Sequence, residues 1–129
     1  MATAAEKVLA KVRAVCMDLP EVTERPSHGA PTWFIRDKKT FVMFHDDHHG
    51  DGILGIWAAA AAGAQEALIR SDPSRYYRPA YVGHRGWVGM RLEGKVDWGE
   101  VESVIEDAYR TVAPKPLVAQ LDRLVAGKE

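Results

Sequence analysis

The feature that most constrains the fold is a series of three short β-type segments that are separated only by turns. Trp33–Arg36 and Thr40–Phe44 are rich in aromatic and β-branched residues, and three residues separate them. A polar turn then leads to the third segment, Ile53–Trp57. Turns of this length join antiparallel neighbours, because a parallel crossover needs a dozen or more residues. The pattern predicts a three-stranded antiparallel meander.

Helical segments surround these strands. Each is amphipathic or rich in alanine, and a proline follows the first three, as is common where helices end. The predicted helices cover Thr3–Leu19, Ala58–Arg70 with a start near Ala62, Asp97–Ala113 with Asp97 as the N-terminal cap, and Pro116–Val125.

The remaining segments complete the predicted topology. Thr23–Pro31 holds two prolines and a glycine, which predicts an irregular connection. Arg75–Tyr81 is expected to be a loop or an irregular strand, and Gly86–Leu92 alternates in a way that favours another strand. Strands that occur in groups, not singly between helices, indicate an α+β protein with a mostly antiparallel sheet. The length of 129 residues fits one domain, spanning 1–129.

The charge is distributed unevenly along the chain. The formal net charge is −1, yet residues 70–91 hold five arginines and one aspartate. A net charge near zero argues against a strong nonspecific nucleic-acid binder, whereas a local basic cluster permits modest binding.

The composition also limits the cellular compartment. The longest apolar run, Ile53–Ala62, is interrupted by glycine and is shorter than the roughly 20 residues of a membrane-spanning helix. The N-terminal segment carries charges and lacks the apolar block of a secretory signal. Cys16 is the only cysteine and lies in the apolar pattern of the first predicted helix, so we expect a buried, inert thiol. These observations predict a cytoplasmic protein without a membrane span.

Short motifs follow one another along almost the whole chain. They are Leu19–Glu24 (LPEVTE), Ser27–Phe34 (SHGAPTWF), Arg85–Val88 (RGWV), Arg91–Leu92, Asp107–Arg110 (DAYR) and Val112–Lys115 (VAPK). In this order they resemble the MmcQ/YjbR family of small bacterial proteins. The resemblance implies an α-β(3)-α-β(2)-α arrangement with a mostly antiparallel sheet, similar to the fold of type III secretion chaperones. It also implies a DNA-binding protein whose surface is formed by two wing-like elements beside a helix.

Basic and aromatic side chains alternate between residues 70 and 91. Arginine forms bidentate bonds to phosphate, and aromatic rings stack on unpaired bases. A smaller basic patch at the first predicted hairpin is of the kind that a β-wing uses to contact phosphates. In the alternative interpretation, rings such as Trp87 fill the core, the arginine stems cover them, and the hairpin lysines are ordinary exposed charges. The predicted nucleic-acid-binding residues are Arg36, Lys38, Lys39, Arg75, Arg78, His84 and Arg85.

Two other motifs invite chemical interpretations that the sequence does not favour. The His45–Asp51 turn holds imidazoles and carboxylates, but neighbouring side chains in a turn usually diverge, which favours a solvated polar turn over a metal site. Ser27 and His28 suggest a nucleophile and its base, yet no G-x-S-x-G elbow surrounds them. No phosphate-binding glycine loop is present either. We therefore expect no enzymatic activity, no metal ion and no cofactor.

Two other classes of function stay open besides DNA binding. One is a protein-interaction module resembling the secretion chaperones, which uses an apolar groove or a sheet edge to bind a protein partner or to form a homodimer. The other is a small-molecule-binding domain, which requires a concave pocket where His28, His84 or Tyr77 converge.

Overall fold

The computed structural model describes residues 2–127, in which helices pack on a six-stranded antiparallel sheet. The strands lie in the order β1-β2-β3-β4-β6-β5. The α+β class with a mostly antiparallel sheet is confirmed. The strands are β1 Val22–Ser27, β2 Ala30–Ile35, β3 Lys39–Asp46, β4 Leu54–Ala58, β5 Tyr76–Tyr77 and β6 Val88–Arg91. The helices are α1 Ala4–Met17, α2 Ala64–Ser71, α3 Trp98–Val112 and α4 Lys115–Gly127, and 3-10 turns cover His48–Gly50 and Gly83–Arg85.

Four strands, not three, precede α2. The prediction that Thr23–Pro31 is an irregular connection was wrong, because β1 pairs with β2 along its whole length. In this pair Pro26 lies opposite Pro31. β1 is an edge strand, where a proline can be accommodated without the loss of a central ladder hydrogen bond. The predicted meander therefore gains a strand at its outer edge.

The turn between β2 and β3 begins one residue earlier than predicted. β2 ends at Ile35, and the next two residues adopt left-handed backbone conformations, with φ of 53° at Arg36 and 57° at Asp37. The amide of Lys38 closes the turn by donating to the carbonyl oxygen of Ile35 at 3.0 Å. Arg36 is thus an exposed turn residue, not the end of a strand.

The second helix is shorter than the alanine-rich segment that predicts it. Ala58 still belongs to β4, and Ala59 is buried beside it. The helix begins at Ala64, after Gly63 turns the chain with a φ of 84° that favours glycine. The start lies two residues beyond the expected position near Ala62 because the alanines first extend the sheet.

The hydrophobic core lies between one face of the sheet and the helices α1, α3 and α4. The Phe41 and Tyr109 rings meet edge to face with their centroids 5.6 Å apart, and both residues are fully buried. Cys16 is buried in this core, as predicted, and burial raises the pKa of its thiol, which makes it inert. Trp87 is 4% exposed, which confirms the prediction that it belongs to the core.

On the other face of the sheet, Trp57 contacts a residue of β5 and the turn after β3. Trp57 donates a hydrogen bond from Nε1 to the Tyr77 hydroxyl at 3.1 Å. The Trp57 ring also contacts His45 and His48 from the turn after β3. Across residues 2–127, none of the helices combines the length and apolar character needed to cross a bilayer.

Candidate functional site

The β2–β3 turn and the Gly83–Arg85 turn, which carry predicted basic residues, precede strands that start from the same end of the sheet. β3 begins at Lys39 and β6 begins at Val88, and β4 lies between them, antiparallel to both. Both strands therefore start from the same end of the sheet, but Val88 is level with Val42, so β3 begins three residues further out than β6. The β2–β3 turn precedes one strand, and the Gly83–Arg85 turn precedes the other. We define the basic end as Arg36, Lys38, Lys39, His84, Arg85 and Lys115.

A cleft of about 400 Å³ opens at the basic end between the β2–β3 turn and the junction of α3 with α4. Arg36, Lys38 and Lys39 line one side, and Lys115 lines the other. Sequence reasoning did not include Lys115, although the VAPK motif that contains it was part of the family resemblance. The β2–β3 turn and the start of α4 together bring four cations to one cleft.

The cations of this cleft differ in how far their charge is neutralised. Arg36 forms an ion pair with Glu21, with Nε and Oε1 3.1 Å apart. The side chains of Lys38, Lys39 and Lys115 are exposed and form no ion pair with any residue in the described part of the chain. No acidic residue is among those that line the cleft. The three ammonium groups are therefore available to an anion.

The arginines between residues 70 and 91 do not act as one group. Arg75 precedes β5 at the opposite end of the sheet, and its guanidinium donates to the carbonyl oxygens of Arg91 at 2.5 Å and Lys95 at 3.0 Å. The guanidinium carbon of Arg85 lies 5.6 Å from the centre of the Trp87 ring, and Arg85 is exposed. His84 is also exposed. Arg85 and His84 thus lie in the turn before β6, outside the lining of the cleft, whereas Arg75 binds backbone carbonyls at the opposite end of the sheet.

Gln65 of α2 holds the segment that carries Arg85 and His84. Its side chain is 3% exposed, and its Nε2 donates to the carbonyl oxygens of Gly83 at 2.8 Å and Trp87 at 2.5 Å. Its Oε1 lies 3.5 Å from the guanidinium of Arg78. One amide group therefore fixes the 3-10 turn and orients Arg78 beside it.

We expect Gln65→Leu to lower the free energy of unfolding by about 2 kcal/mol, because the carbonyl oxygens of Gly83 and Trp87 both lose a buried side-chain donor, although Gly83 still accepts from the Gly86 amide. Amide hydrogen exchange from residues 83–87 should accelerate at the same time. Gln120→Leu is the matched control, since Gln120 is exposed on α4 and its replacement should change the free energy by less than about 0.5 kcal/mol. Urea denaturation measures both values, and equal effects would contradict the assigned role of Gln65.

The histidine turn, residues 45–51, is mostly exposed, as predicted, but its imidazoles lie close together. The ring centroids of His45 and His48 lie 4.7 Å apart, and those of His48 and His49 lie 4.2 Å apart. His45 stacks against Trp57 at 3.9 Å. The expectation of diverging side chains was wrong for these imidazoles, because left-handed backbone at Asp47 and His49 folds the turn back on the sheet.

Burial and the neighbouring imidazoles determine the charge of His45 at neutral pH. Burial is the main cause that lowers the pKa of His45 to about 4, and the neighbouring His48 adds to the effect. His45 is therefore neutral at pH 7. Within residues 2–127, no three side chains of the His, Cys, Asp or Glu types are arranged to hold a metal ion.

Comparison with known proteins places this fold in a family. The model of the YjbR family matches residues 17–111, which include all six strands and most of α3. The chain belongs to the YjbR family. The crystal structure of Deinococcus radiodurans protein DR2400, which carries the domain DUF419, superposes with a TM-score of 0.69 at 16% sequence identity. The superposition covers 84% of this chain and 80% of DR2400, and it supports the same fold. A comparison with curated proteins finds no match.

The motifs that carried the resemblance occupy defined places in the YjbR fold. Ser27–Phe34 forms the β1–β2 turn and most of β2, and Arg85–Val88 leads into β6 at the basic end. Val112–Lys115 joins α3 to α4 beside the cleft. These three motifs therefore lie in the connections between secondary-structure elements and in the strands beside them.

Proposed function

We propose that this YjbR protein binds DNA at its basic end by holding backbone phosphates. The observation that supports this most directly is the cleft in which Lys38, Lys39 and Lys115 expose unpaired ammonium groups. Lysine and arginine neutralise phosphates, and such contacts supply most of the sequence-independent affinity of DNA-binding proteins.

The positions of the two turns also support this proposal. The strands that follow them, β3 and β6, run in the same direction with only β4 between them. The β2–β3 turn and the Gly83–Arg85 turn then serve as the two wing-like elements implied by the family resemblance, with the start of α4 beside the first.

Binding through this surface is modest in strength. The net charge of the whole chain is −1, so no long-range field attracts DNA to the rest of the surface. Glu21 competes with DNA phosphates for Arg36, and the Arg75 guanidinium already donates to two backbone carbonyls. The role proposed here is binding, without catalysis and without a cofactor, and it falls mainly on the three lysines, Arg36 and Arg85.

We expect the variant with Lys38→Gln, Lys39→Gln and Lys115→Gln to bind duplex DNA at least tenfold more weakly than the wild type at low salt. The plot of log affinity against log salt should become shallower by about 0.9 for each phosphate that a lysine no longer neutralises, and by about 3 in total. Fluorescence anisotropy of a labelled duplex, titrated at several salt concentrations, measures both quantities.

A charge-matched variant separates a local site from a general effect of charge. Lys7→Gln, Lys95→Gln and Arg123→Gln remove three exposed cations that lie outside the basic end. This control should retain the wild-type slope. The proposal fails if the two triple variants bind alike, or if the affinity of the wild type does not change with salt.

A further inference from the structure

A second concave site lies on the face of the sheet beside the histidine turn. It is a cavity of about 630 Å³ between the β1–β2 turn, the middle of β3 and β4, and the segment after β5. This volume is within the range of small-molecule sites, roughly 300–1,000 Å³. Six of the nine lining residues carry rings: His28, His45, His48, His49, Trp57 and Tyr81.

The cavity lining carries no carboxylate, ammonium or guanidinium group. The remaining lining residues are Ser27, Met43 and Val82. His45 adds no positive charge at pH 7, because burial lowers its pKa to about 4. A phosphate or carboxylate group would find no permanently charged cation in this cavity. A neutral ring would leave water and pack against aromatic rings and the thioether of Met43.

Two imidazole nitrogens at this cavity lack partners. Nε2 of His45 and Nε2 of His48 are buried, and neither forms a hydrogen bond with any residue in the range 2–127. Buried polar atoms are nearly always paired, so unpaired ones point to a partner supplied from outside the fold. Both nitrogens have almost no accessible surface, so the imidazoles must turn towards the cavity before a ring with nitrogen or oxygen atoms along its edge can hydrogen-bond to them.

The backbone around the cavity is also unusual. His49 and Tyr81 have φ values of 48° and 61°, in the left-handed region that non-glycine residues rarely adopt, whereas the φ of 50° at His28 belongs to the two-residue hairpin turn between β1 and β2. Such conformations cost free energy and concentrate at ligand sites, where they fix the direction of side chains. The Tyr81 ring meets those of His48 and His49 edge to face, and Tyr81 is 69% exposed, so much of its aromatic surface is open at the edge of the cavity.

From these observations we propose that the cavity binds a neutral, flat heteroaromatic ring of the nucleobase type. The ring stacks on Tyr81 and the imidazoles, and the imidazoles turn so that Nε2 of His45 and Nε2 of His48 hydrogen-bond to its polar edge. The ring comes either from a free nucleoside or from an unpaired base of a nucleic-acid strand. None of the lining residues belongs to the basic end, so this site does not depend on DNA binding there.

The first test is a titration of the full-length protein with adenosine and thymidine, followed by NMR of the imidazole and indole signals. We expect saturable shifts at His45, His48 and Trp57 with a dissociation constant on the order of 0.1 mM for a ligand of this size. Adenosine monophosphate should bind no more tightly than adenosine. If millimolar nucleosides leave these signals unchanged, the proposal is overturned.

A second comparison distinguishes the two sources of the ring. A short single-stranded oligonucleotide is titrated beside the same oligonucleotide with abasic sites. Shifts that appear with the oligonucleotide but not with its abasic form identify an unpaired base of a strand as a source of the ring. Shifts that appear only with nucleosides identify the free compound as the source. Either result supports the site. The variant lacking Lys38, Lys39 and Lys115 should bind nucleosides as the wild type does, which separates this proposal from DNA binding at the basic end.

The decisive variants are His48→Phe and its control Gln120→Phe. His48→Phe keeps a ring of similar shape and removes the nitrogen, so nucleoside affinity should fall about fivefold to tenfold for one hydrogen bond. Gln120 is exposed on α4 and lies outside the cavity and the basic end, so Gln120→Phe should bind normally. If His48→Phe does not fold, Tyr81→Ala decides, since removal of one stacking ring should weaken binding at least fivefold. Wild-type affinity in the folded variants would overturn the proposal.

Discussion

Replacement of Gly55 by alanine is expected to lower the free energy of unfolding by about 3 kcal/mol or more, which exceeds the usual cost of overpacking. A Cβ atom at this position would lie 2.3 Å from the carbonyl oxygen of Met90 and 3.1 Å from the carbonyl carbon. Both are backbone atoms of β6, the strand that pairs with β4. Because backbone cannot rotate away as a side chain can, β4 and β6 must separate, and the hydrogen bonds between them weaken.

A second glycine provides an informative comparison. A Cβ at Gly89 would meet the Tyr77 ring at distances of 2.4 to 2.6 Å. This obstacle is a side chain, so Gly89→Ala should displace the ring, break its hydrogen bond with Trp57 and cost about 1–2 kcal/mol. Gly127→Ala is the control, since nothing lies within 4 Å of its added Cβ. Urea denaturation ranks the three, and a cost at Gly55 no larger than that at Gly89 would contradict the argument.

Gly55 also illustrates a feature of the fold that the local sequence does not predict. The apolar residues around it predict a strand, and the structure contains that strand as β4. The need for glycine arises from β6, which lies more than 30 positions away and packs against the same spot. Local patterns found β2, β3 and β4, whereas β1 was missed because its prolines resemble those of a loop unless its edge position is known.

The candidate site also combines residues whose proximity the sequence predicts with residues that meet only in the folded chain. Arg36, Lys38 and Lys39 occupy one turn, so their proximity follows from the hairpin alone. Arg75 was grouped with the other arginines by sequence, but its hydrogen-bond acceptors are carbonyls 16 and 20 residues further along the chain. Lys115 reaches the cleft only through the packing of α3 and α4. Composition and residue spacing therefore do not predict contacts between segments that are distant in the sequence.

The second large effect is expected at Trp33, the largest of the fully buried side chains. Trp33→Ala should lower the free energy of unfolding by about 3–5 kcal/mol, because the cavity it leaves is large and the surrounding strands relax only in part. A β-bulge adjoins Trp33, where β2 shifts register against β3. The ring thus packs at the irregular point of the sheet, and its loss should loosen the pairing of both strands. Thermal and chemical denaturation measure the effect.

Trp33→Phe separates the packing of the ring from its hydrogen bond. Trp33 Nε1 donates to Glu24 Oε1 at 3.0 Å, and Glu24 also accepts from Arg13, whose hydrogen bond is the main cause that holds the pKa of Glu24 below its usual value. Because the ion pair keeps the carboxylate satisfied, the phenylalanine variant should lose about 1–2 kcal/mol, well below the alanine variant. Trp98→Ala, at a partly exposed ring, should cost less than Trp33→Ala. Equal losses at Trp33 and Trp98 would show that burial at the bulge does not set the stability of the sheet.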